Sequence, residues 1–159
     1  MQRNGSLGSI ALNVGGFAGY NQDSSITTSY STSEVYTDLN TQFGRTYVGG
    51  FIGNLDITNS DIGSIQNNFA FGNITSTSNR DGNTRLNYFG TGLHIDDNNY
   101  STSNQIVIIN ESVQIPEYWT SGIMILDYSD FPDFSFYEDM LGFSTEYWKL
   151  FEDSFPRIK

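Results

Sequence analysis

Apolar residues along this chain come in short bursts divided by Gly, Asn, Ser, Asp and Thr, as in Ser25-Ile26-Thr27-Thr28-Ser29-Tyr30-Ser31 or Glu34-Val35-Tyr36-Thr37. No burst keeps a helical period long enough to form a stable helix, and the residues between them oppose helix formation. Ile, Val, Tyr, Phe and Thr instead suit a pleated, half-buried surface. The pattern predicts an all-β chain built from many short strands.

The bursts also recur. Val14-Gly15-Gly16-Phe17-Ala18-Gly19 returns 34 residues later as Val48-Gly49-Gly50-Phe51-Ile52-Gly53. Downstream, Ser25–Ser31 answers to Ser64–Ala70 at an offset of 39, so the second copy carries about five extra residues, placed at Asp56–Asp61 as an outer loop. Glu34-Val35-Tyr36-Thr37 then answers to Asn73-Ile74-Thr75-Ser76, and Phe89-Gly90-Thr91-Gly92-Leu93 reads as a decayed third copy. A unit of this size with about three short strands cannot bury its own apolar face, but stacked on a neighbour it can, with strands about 4.8 Å apart. The expected architecture is a β-solenoid of about three to four coils. Residues 1–115 form the solenoid, in units of about 14–47, 48–88 and a degenerate 89–115. Residues 116–159, crowded with aromatic rings, form a C-terminal cap over the last coil. Within it, Phe136–Leu141 is expected to make one helical turn. Cover from this region is expected for the apolar run Gln105–Asn110. Polar turns are expected at 79–83 and 96–99.

The motif residues are Gly15, Gly16, Phe17 and Gly19 in one copy, and Gly49, Gly50, Phe51 and Gly53 in the other. Glycine permits corners with positive φ and close backbone approach. Its absent side chains leave room for the phenylalanine inside a narrow coil.

These phrases resemble the GLUG motif, a short repeat of large secreted and surface proteins of bacteria, including adhesins and some immunoglobulin-A-cleaving peptidases. Ile65 followed by Phe69-Ala70-Phe71-Gly72-Asn73-Ile74 matches the continuation of that motif well. Ile26 followed by Tyr30-Ser31-Thr32-Ser33-Glu34-Val35 matches it with Ser in place of Ala and Gly. Phe143–Lys149 followed by Phe155-Pro156-Arg157-Ile158 is similar to the Trp-containing segment that closes such repeats. The resemblance implies a fold and a location at the bacterial surface or outside the cell. It implies no catalytic residues.

Charge and composition narrow the partners. A formal net charge of −11 repels phosphate backbones, which argues against nucleic acid. The absence of cysteine excludes a disulfide framework. No apolar run approaches the roughly 20 residues of a membrane span, so membrane insertion is not expected. Met1 is followed by Gln-Arg-Asn-Gly-Ser rather than an apolar leader. An uncovered first coil would offer a sticky edge for end-to-end association.

Candidate chemistry is sparse. His94, the single histidine, has no evident catalytic partners. Asp96 and Asp97 carry oxygen ligands suited to calcium, but lack the spacing of a known calcium loop, so a solvated turn is the plainer reading. Asp127, Asp130, Asp133, Glu138 and Asp139 lie among aromatics, the kit of a glycosidase, with no pair singled out by spacing. Trp119, Tyr128 and Trp148 are candidates for an aromatic binding platform. The expected function is that of a non-catalytic structural or adhesive repeat, without a cofactor, facing host or surface glycan or protein. The alternatives are a carbohydrate-active enzyme and a calcium-dependent glycan-binding module.

Overall fold

The computed structural model of the protein describes residues 11–39, 45–58, 63–78, 84–87, 89–93, 98–113, 123–126, 134–151 and 154–159. Within them the chain is all-β apart from one short helical turn. The first repeat supplies β1 (Ala11–Gly15), β2 (Ala18–Gln22), β3 (Ile26–Ser31) and β4 (Val35–Leu39). The second supplies β5 (Arg45–Gly49), β6 (Ile52–Asp56), β7 (Ile65–Ala70) and β8 (Ile74–Ser78). The third supplies β9 (Thr84–Asn87), β10 (Gly90–Leu93), β11 (Asn99–Thr102) and β12 (Val107–Ile109), followed by β13 (Ser112–Val113) and β14 (Ile123–Leu126). A helical turn at Phe136–Met140, β15 (Trp148–Phe151) and β16 (Ser154–Ile158) complete the order.

Each repeat thus has four strands rather than the three that the apolar bursts suggest. The glycine phrase is the reason. It looks like one run in the sequence, but it bends, with Val14-Gly15 ending β1 and Ala18-Gly19 beginning β2. Arg45-Thr46-Tyr47 likewise belongs to the strand that the second phrase ends.

Strands from successive repeats pair with one another. The sheet orders are β1-β5-β9, β2-β6-β10, β3-β7-β11-β14 and β4-β8-β12-β13. All neighbours in these four sheets are parallel except β12 and β13. None of them closes into a barrel. The pairing follows the sequence repeat residue by residue: Val14↔Val48↔Leu86, Ala18↔Ile52↔Gly90, Tyr30↔Phe69↔Tyr100 and Val35↔Ile74↔Val107. Like residues therefore form columns across the sheets, which is how short strands with little apolar surface of their own acquire a core.

Two buried clusters fill the interior. One joins Phe51, Ile52, Leu55, Ile65, Ala70 and Phe89, and the other joins Val35, Val48, Ile74 and Val107. A third lies on the outer face of the β3-β7-β11 sheet, where Phe69 and Tyr100 meet Phe136, Tyr137, Leu141 and Phe143. This places the described part of the C-terminal region, 134–159, along the side of the stack. It touches one ring from each of three repeats, rather than lying only across the end of the last coil as expected. The helical turn falls where the sequence suggests, with Leu141 N donating to Phe136 O across a wide turn at 3.1 Å. Within β12 Val107 is buried and Ile108 and Ile109 are half-buried, while Ile106 just before it is 49% exposed. The turn at 79–83 and most of the outer loop after Asp56 lie outside the described residues. Thr58 is held to Asp23, whose carboxylate accepts its N–H at 2.7 Å and its hydroxyl at 2.8 Å.

Candidate functional site

At the corner between the first two strands of the second and of the third repeat, one carbonyl receives two N–H groups from the repeat before it. Phe17 N and Ala18 N donate to Phe51 O at 2.9 and 3.0 Å, and Phe51 N and Ile52 N donate to Phe89 O at 2.8 and 2.9 Å. These shared acceptors hold the phenylalanines one above another. The Phe17 and Phe51 rings lie 4.7 Å apart at 13°, and those of Phe51 and Phe89 lie 4.8 Å apart at 23°. The separation is the strand spacing itself. A near-parallel stack is not what the ring quadrupole favours in isolation, so the backbone register imposes it.

The glycines serve close approach. A Cβ on Gly15 would lie 2.2 Å from Ala18 O, one on Gly16 2.3 Å from Gly50 O, one on Gly49 2.1 Å from Ile52 O, and one on Gly53 2.4 Å from Val14 N. A Cβ on Gly19 would meet Asn13 O at 2.7 Å. The expectation of positive-φ corners is corrected here: among the described residues the only glycine with positive φ is Gly142, at +66°. The phrase needs glycine because backbone crosses backbone at the corner, and any side chain would occupy the same space.

Left-handed backbone occurs instead at non-glycine residues, three of them at matching points in or just before strands of the third sheet. Thr28, Asn67 and Asn98 have φ of 52°, 58° and 64°. Each precedes a residue of an interior polar column, Ser29, Asn68 and Asn99. Asn68 Oδ1 accepts from Ser29 N at 3.0 Å, while its Nδ2 donates to Ile26 O at 2.8 Å and to Asn99 Oδ1 at 3.1 Å. Asn99 Nδ2 donates to Ile65 O at 2.6 Å. A side-chain amide carries both a donor and an acceptor, so stacked asparagines satisfy each other and the backbone opened by the left-handed residue. Sequence reading placed Asn68 in a strand-like run and Asn98 and Asn99 in a polar turn at 96–99, whereas Asn99 is a buried strand residue. The signal available was an Asn at the same point of two successive repeats.

Of the platform candidates, Trp148 is half-buried and packed, its ring 4.6 Å from Phe143 and 6.2 Å from Tyr30. Trp119 and Tyr128 lie outside the described residues, as do His94, Asp96, Asp97, Asp127, Asp130 and Asp133. Glu138 and Asp139 are exposed on the helical turn. Among the described residues no group of three or more His, Cys, Asp or Glu side chains is placed to hold a metal ion. The Tyr30 hydroxyl donates to Pro156 O at 2.5 Å, and its ring stacks on Phe155 at 5.7 Å. Burial raises the Tyr30 pKa above its ordinary value against an opposing pull from Arg157, and burial also raises that of Tyr100.

The corners between the third and fourth strands form a groove of about 220 Å³. Successive repeats line it with Thr32 and Glu34, with Phe71 and Asn73, and with Thr102 and Asn104. Gly72 lets the backbones approach at this corner, since a Cβ there would overlap Ser33 O. Asn73 Oδ1 accepts from Ile106 N at 2.9 Å, which turns its amide into a fixed part of the wall. Sequence reading did not find this groove, because its residues are spread over three repeats.

The model of the GLUG motif matches residues 10–36, from the lead into β1 to the second residue of β4. This stretch of the chain carries a GLUG motif. The matched GLUG segment spans the glycine corner, the left-handed Thr28 and the packed Tyr30, and so takes in three of the first repeat's strands and enters its fourth. Neither the curated proteins nor the solved structures contain a match to the chain.

Proposed function

We propose that the protein is a β-solenoid segment of a secreted or surface-anchored bacterial protein, acting without catalysis as a stiff scaffold or adhesive surface toward host or surface glycan or protein. The observation that supports this most is the Phe17–Phe51–Phe89 column, held by the same shared-carbonyl hydrogen bonds in two successive steps. A stack of this kind extends by adding repeats and keeps its side surfaces free for partners. The GLUG motif fits an extracellular setting. Incubating the purified chain with immobilised glycans and matrix proteins tests it. Retention without release of new reducing ends or peptide fragments is expected, and steady product formation would overturn it.

Glycan binding at the corner groove is the second reading. It is favoured by a half-buried aromatic ring between threonine, amide and carboxylate groups. Replacing the exposed Glu34 by Ala should then weaken retention on glycans while leaving the urea midpoint close to that of the parent, whereas Phe71→Ala should abolish retention and also lower the midpoint, because the ring packs on Phe155 at 5.3 Å. Calcium dependence, resting on Asp96 and Asp97, would appear as a lower Tm in chelator.

A further inference from the structure

The two ends of the aromatic column differ. Phe51 and Phe89 are both 0% exposed, so the ring farthest along the stack is covered, whereas Phe17 at the near end is 50% exposed. The columns beside it share the gradient. Val14 and Ile26 are half-buried, while their partners Val48 and Ile65 are fully buried. Among the described residues β1, β2, β3 and β4 each occupy an edge of their sheet, so one face of the first repeat presents four strand edges and the exposed ends of the Phe17, Val14 and Ile26 columns, while Val35 in β4 is already buried.

We propose that this face is a docking surface for one further Gly-Gly-Phe repeat, seated in the same parallel register. The inference rests on the stacked-repeat reading above. The occupant's chemistry follows from continuity with the two interfaces already formed. Phe17 O holds the position of Phe51 O and Phe89 O, each of which accepts two consecutive N–H groups from the repeat before it. The incoming repeat therefore brings two adjacent N–H groups to Phe17 O and a phenyl ring over Phe17 at the strand spacing. It brings glycines at the corner, because Gly16 and Gly50 already meet there without room for a side chain. A second copy of this chain fits less well. Head-to-tail stacking would have to pass through the covered Phe89 end, and head-to-head stacking would bring two acidic chains of net charge −11 together.

The test lengthens the full chain by inserting a second copy of residues 11–44 between positions 10 and 11, and compares Phe17→Asp in the natural and lengthened chains by urea unfolding. In the lengthened chain Phe17 becomes an inner residue. One cooperative transition with a larger m-value is expected, with a Phe17→Asp midpoint shift about threefold that in the natural chain. Phe17→Ala serves the same comparison if the aspartate variant does not fold. Equal shifts in the two chains, or separate early unfolding of the inserted segment, would overturn the proposal. Sedimentation of the natural chain is expected to give a monomer, and a dimer dissolved by Phe17→Asp would overturn the assigned occupant in favour of a second copy. Phe51→Asp is the control. If the natural chain tolerates it without loss of stability, the stacked-repeat reading itself fails, whatever the end face does.

Discussion

The first and second repeats carry nearly the same phrase and pair strand for strand, yet they are buried to different degrees. Phe51 has a ring on each side and no solvent exposure, whereas Phe17 has one neighbour and is half exposed. The residue type and the local backbone are the same, so the difference comes from the neighbours. In a stack of this kind the worth of a side chain is set by how many repeats lie against it, and an end repeat gains less from the same sequence than an inner one.

The sharpest way to break this comparison is to truncate the two rings in turn. Phe51→Ala removes a fully buried ring and leaves a cavity, and should cost about 3–5 kcal/mol. Phe17→Ala removes a ring already half in water and should cost about 1–2 kcal/mol. Urea unfolding of both variants checks the ratio. Equal costs would mean that burial does not follow position in the stack.

The polar column offers the same contrast. Asn68→Ala strips partners from Ser29 N, Ile26 O and Asn99 Oδ1, all in a part-buried or buried setting, and should cost about 2–4 kcal/mol. Ser29→Ala, at the end of the column, removes only a hydroxyl that bonds Thr27 O on the exposed side, and should change stability by less than about 0.5 kcal/mol. The same unfolding measurement separates them.

Thr28 sharpens the comparison in the other direction. It takes a φ of 52° with a β-branched side chain, where the equivalent residues in the next two repeats are Asn67 and Asn98. Asparagine tolerates that region far better. Thr28→Asn should therefore stabilise the chain by about 0.5–1 kcal/mol, read as a rise in Tm.

The smallest effect is on pH. Burial raises the pKa of both Tyr30 and Tyr100, so folding favours their neutral forms. The stability this contributes is fully present below the ordinary tyrosine value of 10.0 and is lost as pH rises through the higher folded-state values. Tm measured from about pH 8 to about pH 11 should stay level at first and then fall. Tyr30→Phe should soften that fall, at the cost of the bond to Pro156 O.

Much of this was legible in the sequence because a repeat leaves a record at fixed offsets. The 34- and 39-residue spacings of Val14/Val48 and Ile26/Ile65 are the strand registers of the structure, read in advance. What the sequence hid was geometry within the unit. A glycine phrase that turns a corner looks the same on the page as one that runs straight, so β1 and β2 merged into one apparent strand. Asn99 resembled a turn residue because it is buried only by virtue of Asn68 beneath it and of the left-handed residue before it. The side-on packing of Phe136, Phe143 and Phe155 was hidden for a related reason. Tyr30, Phe69 and Tyr100 alternate with inward residues in their strands, and only the fold shows that the outer face has a cover of its own. The corner groove draws on three repeats at once and has no local signature.

The central claim is that each repeat lies in register on the next, and the absence of native cysteine makes it directly measurable. Tyr36, Thr75 and Ile108 are successive members of one column. Adjacent strands place such residues about 4.8 Å apart, within disulfide reach, whereas a pair two repeats apart is separated by about 9.6 Å. Under mild oxidation the double variant Tyr36→Cys/Thr75→Cys is expected to form an intramolecular disulfide, and Tyr36→Cys/Ile108→Cys is expected to stay reduced. A bond in the second variant, or none in the first, would contradict the stacking from which the rest follows.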